Sequence, residues 1–146
     1  MFIEILSGLE YAHGQNVIHR DLKPRNVIVR SSDNQPIILD FGSAYVLDEM
    51  NPNTLTTQVV GTIGYIPSEV LTNPKKRSRL HDIYSTGMML YESFAGHLPD
   101  PANYVPLEKV DPQYAALDKI VEKAIAGESK RISSAAAFAE ELAPLQ

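Results

Sequence analysis

Phe2, Ile5, Leu6, Leu9 and Ala12, with His13, recur at three- and four-residue steps from the start of the chain. That spacing gathers them on one helical face, and Gly14 stands where a helix would stop. Two short apolar runs follow, Val27-Ile28-Val29 and Ile37-Ile38-Leu39, separated by Ser31-Ser32-Asp33-Asn34-Gln35-Pro36. Runs of that length around a turn-rich stretch predict a β-hairpin. Residues 43–62 are polar, threonine-rich and aperiodic, which predicts a long surface loop. From Ile83 to Ala95 the chain is apolar nearly all round (Ile83, Tyr84, Met88, Met89, Leu90, Tyr91, Phe94), the pattern of a helix in the middle of a domain. The methionines there read as core packing, and Asp82 is placed to cap the helix start. Four prolines between Pro99 and Pro112 leave little room for regular structure. Asp111-Pro112 then opens a helix whose face is Tyr114, Leu117, Ile120, Val121, Ala124 and Ile125, with Gly127 as its stop. A last helix starts at Ser133 or Ser134 and runs through Phe138 to Leu142. The expected fold is mainly α with one small β-hairpin.

The length, 146 residues, suits one domain, and 44% hydrophobic with 21% charged residues is ordinary for a globular protein. Thirteen basic against eighteen acidic residues give a net charge of −5. This balance argues against a nucleic-acid partner, and the cluster Lys75-Lys76-Arg77 with Arg79 reads as a solvated loop. No apolar run spans a bilayer, since Asp21, Asp40 and Glu92 interrupt the candidates. Met1-Phe2-Ile3-Glu4 has neither a basic region nor a signal-like stretch, so a cytoplasmic location is expected. The chain has no cysteine, which excludes disulfides, zinc thiolate sites and cysteine nucleophiles.

Chemistry concentrates in His19-Arg20-Asp21-Leu22-Lys23-Pro24-Arg25-Asn26, before the first hairpin strand, and in Asp40-Phe41-Gly42, after the second. A hairpin brings those two ends together, so Asp21, Lys23, Asn26 and Asp40 can converge. Carboxylate and amide oxygens suit Mg²⁺, which usually takes one or two carboxylates together with phosphate oxygens and water. Without histidine or cysteine clusters, zinc is a poor alternative. Singly, Asp21, Asn26 and Asp40 would each be unremarked polar residues; together they have no bland reading.

The first segment resembles the protein-kinase catalytic loop H-R-D-L-x-x-x-N, and Asp40-Phe41-Gly42 resembles the D-F-G turn that follows it. Gly61-Thr62-Ile63-Gly64-Tyr65 with Glu69 looks like the end of an activation segment, and Asp82-Ile83-Tyr84-Ser85-Thr86-Gly87 like the start of the kinase's central buried helix. The resemblance covers nearly the whole chain as one partial kinase domain, residues 1–146. It comprises a catalytic loop 19–26, a Mg-binding turn 40–42, an activation segment 40–69 and helices 83–143. It implies the C-terminal lobe, half of the two-lobed α+β kinase fold.

On that resemblance Asp21 would orient the substrate hydroxyl and accept its proton. Lys23, two residues on as in serine/threonine kinases, would neutralise charge on the transferred group. Thr62 would bind the catalytic loop and shape the pocket beside the acceptor residue. Asn26 and Asp40 would hold Mg²⁺ on ATP, with Ile28 under the adenine. His19 would be structural, packed against the Asp40-Phe41-Gly42 turn. Arg20 would be either a structural link or a receptor for an activation-loop phosphate, for which Thr54, Thr56 and Thr57 are candidates. Glu69 and Arg131 would form a structural ion pair, and Asp82 would be a helix cap that also braces the catalytic loop.

Two parts of the kinase pattern are absent from these residues: no G-x-G occurs, and no V-A-I-K-like strand precedes Phe2. The N-terminal lobe is therefore expected as a missing partner in cis, through a truncated gene or fragment, an engineered piece, or a natural remnant. The uncapped apolar start at Met1 favours truncation. Near Glu69 the chain reads Pro67-Ser68-Glu69, with the proline one place from its usual position. The expectation is a serine/threonine protein kinase acting on protein hydroxyls, inactive as this chain alone. The rival is a non-catalytic lobe that binds a protein partner. A small-molecule phosphotransferase of related fold fits less well, because Lys23, Gly61-Thr62 and the Glu69/Arg131 pair follow the protein-kinase pattern.

Overall fold

The computed structural model describes residues 1–41, 44–46, 60–100 and 102–145. Helix α1 covers Phe2–Gly14 and buries Ile5, Leu6, Leu9 and His13, the face its periodicity marks. Gly14 is the helix's last residue, and Gln15 closes the end through its N–H to the Tyr11 and Ala12 carbonyls. Strand β1 (Val17–Ile18) follows. A short 3₁₀ turn, Pro24–Asn26, then leads into β2 (Val27–Val29). Strand β3 (Pro36–Ile38) pairs antiparallel with β2, Val27 opposite Ile38 and Val29 opposite Pro36. Arg30 and Asp33 fasten the turn with two side-chain hydrogen bonds.

A second two-stranded ribbon was not predicted. Strand β4 (Tyr45–Val46) lies within the stretch expected to be loop and pairs with β1, Ile18 opposite Tyr45. Two residues per strand are too few for a period to show. Residues 47–59, including Thr54, Thr56 and Thr57, lie outside the described residues.

The remaining described elements are helical: α2 (Ser68–Thr72), α3 (Leu80–Ala95), α4 (Ala115–Ala124) and α5 (Ala135–Leu142), joined partly by single 3₁₀ turns. Helix α3 runs through the centre and buries every residue from His81 to Tyr91 except Tyr84. Gly87 lets α4 come close; a Cβ there would stand 2.8 Å from Ala124 Cβ and 2.9 Å from Ile125 Cγ2. The helix ends at Gly96, whose φ of 78° is a left-handed conformation that costs a side-chain-bearing residue about 1 kcal/mol.

Three expectations need correction. Helix α3 begins at Leu80, with Arg79 at the cap position, so Asp82 lies inside the first turn and caps nothing. Asp111 does accept a bond from Gln113 N–H, but the turn it opens is 3₁₀, and α4 begins only at Ala115. That helix ends at Ala124, and Gly127 has a negative φ, so it is not a left-handed stop. Ser134 caps α5 by accepting from Ala137 N–H. Among the described residues no helix is long and apolar enough to cross a membrane. The mainly helical architecture with small antiparallel ribbons agrees with the expected fold class.

Candidate active site

The loop from His19 to Asn26 is held from beneath by Asp82, which is fully buried. One carboxylate oxygen accepts from His13 Nε2 (2.8 Å) and from His19 N–H (2.9 Å); the other accepts from Arg20 N–H (2.9 Å). The last bond secures Arg20 at φ 74°, a left-handed conformation that side-chain-bearing residues avoid. His19, also fully buried, donates from Nε2 to the Leu39 carbonyl (2.8 Å), which leaves Nδ1 to accept from Asp21 N–H (3.3 Å). Its ring meets the Phe41 ring edge-on at 4.8 Å. One histidine thus ties the 19–26 loop to the turn after β3.

Asp21 is the hub above this base. Its carboxylate accepts from Thr62 Oγ1–H (2.7 Å) and from Lys23 Nζ (2.8 Å), and Lys23 also donates to Thr62 Oγ1 (2.6 Å). Burial pushes the Asp21 carboxyl up, but the bonds from Lys23 and Thr62 and the nearby positive charge outweigh it, so it sits below the usual carboxylate range. Gly61 brings Thr62 into reach. Its φ is 126°, and a Cβ there would lie 2.8 Å from the Arg20 carbonyl, so only glycine fits without a shift.

Asn26 is nearly buried, at 7% exposure. Its amide nitrogen donates to the Asp21 carbonyl (2.8 Å), which turns its own carbonyl oxygen the other way. Leu39 N–H bonds the Asn26 carbonyl at 2.7 Å, carrying the β2–β3 ladder one step further. Asp40 is the next residue, exposed and at φ 60°. Asp40 therefore stands one residue beyond the Leu39–Asn26 bond, and Asp21 and Lys23 lie on the loop that leads into β2. Ile28, on β2, is 46% exposed. Gly42 lies outside the described residues. Among the described residues no three His, Cys, Asp or Glu converge on a metal position; Asn26 and Asp40 carry amide and carboxylate oxygens, donor types that could suit Mg²⁺ shared with phosphate and water.

Residues 1–143 match the family model described as "Protein kinase domain". The chain belongs to the protein kinase family. Among its relatives is human 3-phosphoinositide-dependent protein kinase 1, 38% identical over 73% of this chain and 19% of that protein. CBL-interacting serine/threonine-protein kinase 18 of Arabidopsis thaliana is 35% identical over 67% of this chain and 19% of that protein. Serine/threonine-protein kinase PknA of Nostoc sp. is 34% identical over 73% and 19%. The chain spans about a fifth of the length of these curated relatives.

Elsewhere in this kinase domain Arg131 bonds Glu69 at 2.6 Å and is held by the Ala126 and Leu80 carbonyls. Its guanidinium lies 5.0 Å from the centre of the Tyr84 ring. Burial pushes the Glu69 carboxyl up, but the Arg131 hydrogen bond, a backbone bond and the guanidinium charge together bring it below its ordinary 4.5. A carboxylate lowered on folding stabilises above its unfolded value and loses that contribution as pH falls through its folded value. Glu69→Gln is therefore expected to cost about 2 kcal/mol at pH 7, with the gap to the native chain closing below pH 4.5. Urea unfolding across pH checks this.

Sequence reasoning missed two contributors. His13 is visible only as a helix-face residue, yet it completes the Asp82 node. Glu92 accepts a hydrogen bond from the Tyr65 hydroxyl, joining α3 to the loop that carries Thr62. No local pattern signals either, because the partners are 69 and 27 residues away.

Proposed function

We propose that this chain carries the catalytic loop and metal-binding turn of a serine/threonine protein kinase, which transfers the γ-phosphate of ATP to a protein hydroxyl. The observation that carries the reading is the closed triangle of Asp21, Lys23 and Thr62, with Asn26 bonded to the same aspartate. Asp21, kept ionised, orients the substrate hydroxyl and takes its proton as the oxygen–phosphorus bond forms and the bond to the β-phosphate bridging oxygen breaks. Lys23 offsets charge on the transferred group, and Thr62 fixes both side chains. Asn26 and Asp40 are the residues to hold Mg²⁺, which when bound neutralises phosphate charge. Ile28 offers an apolar surface to the adenine. Catalysis here is positioning and electrostatics rather than covalent chemistry.

The 146 residues contain no Gly-rich phosphate cover and no strand lysine, so an N-terminal lobe in cis is part of the proposal, and the chain alone is expected to show no turnover. A cytoplasmic location and protein substrates belong to the same reading. Calorimetric titration of ATP into the chain, with and without Mg²⁺, tests the site. Binding should depend on Mg²⁺ and weaken about tenfold in Asp40→Asn, the effect of one charge-assisted contact. Binding indifferent to Mg²⁺ and to Asp40 would overturn the assignment.

A further inference from the structure

Away from the Asp21 site, a cavity of about 360 Å³ opens among α3, α4 and the residues that follow α3, lined by Tyr84, Pro99, Asp100, Tyr104, Glu122 and Ile125. Its chemistry is uneven. Two tyrosine rings, a proline and an isoleucine make apolar walls, and the charges are two carboxylates contributed by different elements. Among the described residues neither Asp100 nor Glu122 takes part in an ion pair. Among the described residues the Asp100 carboxylate accepts from the Ala102 N–H of its own turn. The Tyr104 hydroxyl is committed to Asp118, so that residue offers the cavity its ring rather than a donor.

The same molecule shows what such a set of groups holds. Next door, Arg131 lies over the Tyr84 ring while bonding the Glu69 carboxylate. The cavity repeats that combination of tyrosine ring and carboxylate without a cation of its own. Its volume, near the lower end for ligand pockets, suits a single long side chain. A planar guanidinium stacks on aromatic faces and forks onto carboxylates, which an ammonium does less well.

The position of the cavity ties it to substrate. Leu98, one residue before Pro99, lies against Gly64, so close that a Cβ on Gly64 would meet Leu98 Cδ1 at 2.7 Å. Gly64 is two residues beyond Thr62, so the cavity wall is braced on the loop that borders the acceptor position. We propose that this cavity is a docking site for an arginine side chain of the protein substrate, apart from the residue that is phosphorylated. The inference rests on the kinase reading for its occupant, but its binding chemistry can be measured without turnover.

The test is a titration of the full chain, followed by two-dimensional NMR, with N-acetyl-arginine amide, N-acetyl-lysine amide and N-acetyl-citrulline amide. Arginine is expected to shift Tyr84, Tyr104 and Glu122 resonances. Lysine should bind more weakly, and citrulline, isosteric but uncharged, should shift nothing there. Glu122→Gln, an exposed substitution, should weaken the arginine affinity about tenfold with the spectrum otherwise unchanged. Equal binding of citrulline, shifts centred elsewhere, no shifts at tens of millimolar, or an unaffected Glu122→Gln variant would each overturn the site. Those failures leave Mg²⁺-dependent ATP binding untouched, whereas loss of ATP binding with arginine binding intact would fall on the kinase reading alone.

Discussion

Asp82→Ala is expected to destabilise the chain by about 3–5 kcal/mol, the cost of removing one partner from a buried, hydrogen-bonded charge. The carboxylate is fully buried and accepts three bonds, from His13 Nε2, His19 N–H and Arg20 N–H. Alanine leaves these donors facing protein interior, where each unsatisfied group costs about 1–3 kcal/mol. A domain of this size holds roughly 5–15 kcal/mol in total, so the variant sits near the edge of folding. Asp82→Asn keeps one acceptor oxygen but turns an N–H₂ toward a donor, and its loss should fall between native and alanine. Urea unfolding measures both; the midpoint should drop with little change in slope. Amide exchange should quicken at His19 and Arg20 before it does in α1. A loss under about 1 kcal/mol for the alanine variant would mean the three bonds are not the anchor described here.

That residue also marks the boundary of what local patterns reveal. Read along the chain, an aspartate beside the start of an apolar helix is a cap, because caps are a local rule. In the fold the helix starts at Leu80, three residues before Ile83, and the carboxylate goes instead to backbone groups 62 and 63 residues away. The larger helices were legible because burial imposes a period on them: the faces of α1 and α4 are the ones their spacing marks. The β2–β3 hairpin was legible from its turn. Strands β1 and β4 and the five-residue α2 were not, since elements so short carry no period and the β1–β4 pairing is set by tertiary placement. The site divides in the same way. Asp21, Lys23 and Asn26 lie within one loop, and the hairpin the pattern predicts brings Leu39, the residue before Asp40, into a backbone bond with Asn26. Thr62 comes from a distant segment and was accessible only through family resemblance. The physical reason it arrives, the close approach of Gly61 to the Arg20 carbonyl, is a property of the folded chain.

Asp21→Asn should abolish most phosphoryl transfer while leaving the fold intact, and the geometry says why the loss falls on the chemical step. Asparagine retains one oxygen, so it can keep either the Thr62 or the Lys23 bond, but it carries no charge and cannot take the hydroxyl proton. Whichever bond the amide keeps, Lys23 Nζ loses the carboxylate charge that helps fix it beside Thr62. General acid–base groups contribute roughly 10²–10⁴-fold, and the rate in Asp21→Asn should fall by that range. The assay joins residues 1–146 in frame to a kinase N-terminal lobe that supplies the Gly-rich loop and strand lysine, with radiolabelled ATP and a serine-containing protein. Affinity for Mg²⁺-ATP should stay within about threefold of native, because Asn26 and Asp40 are unchanged; stability should change by no more than about 1 kcal/mol, because Asp21 is partly exposed. That separation is the diagnostic. A loss confined to ATP affinity would make Asp21 a binding residue, and undiminished transfer would remove it from the mechanism, together with the triangle of bonds on which the proposed function stands.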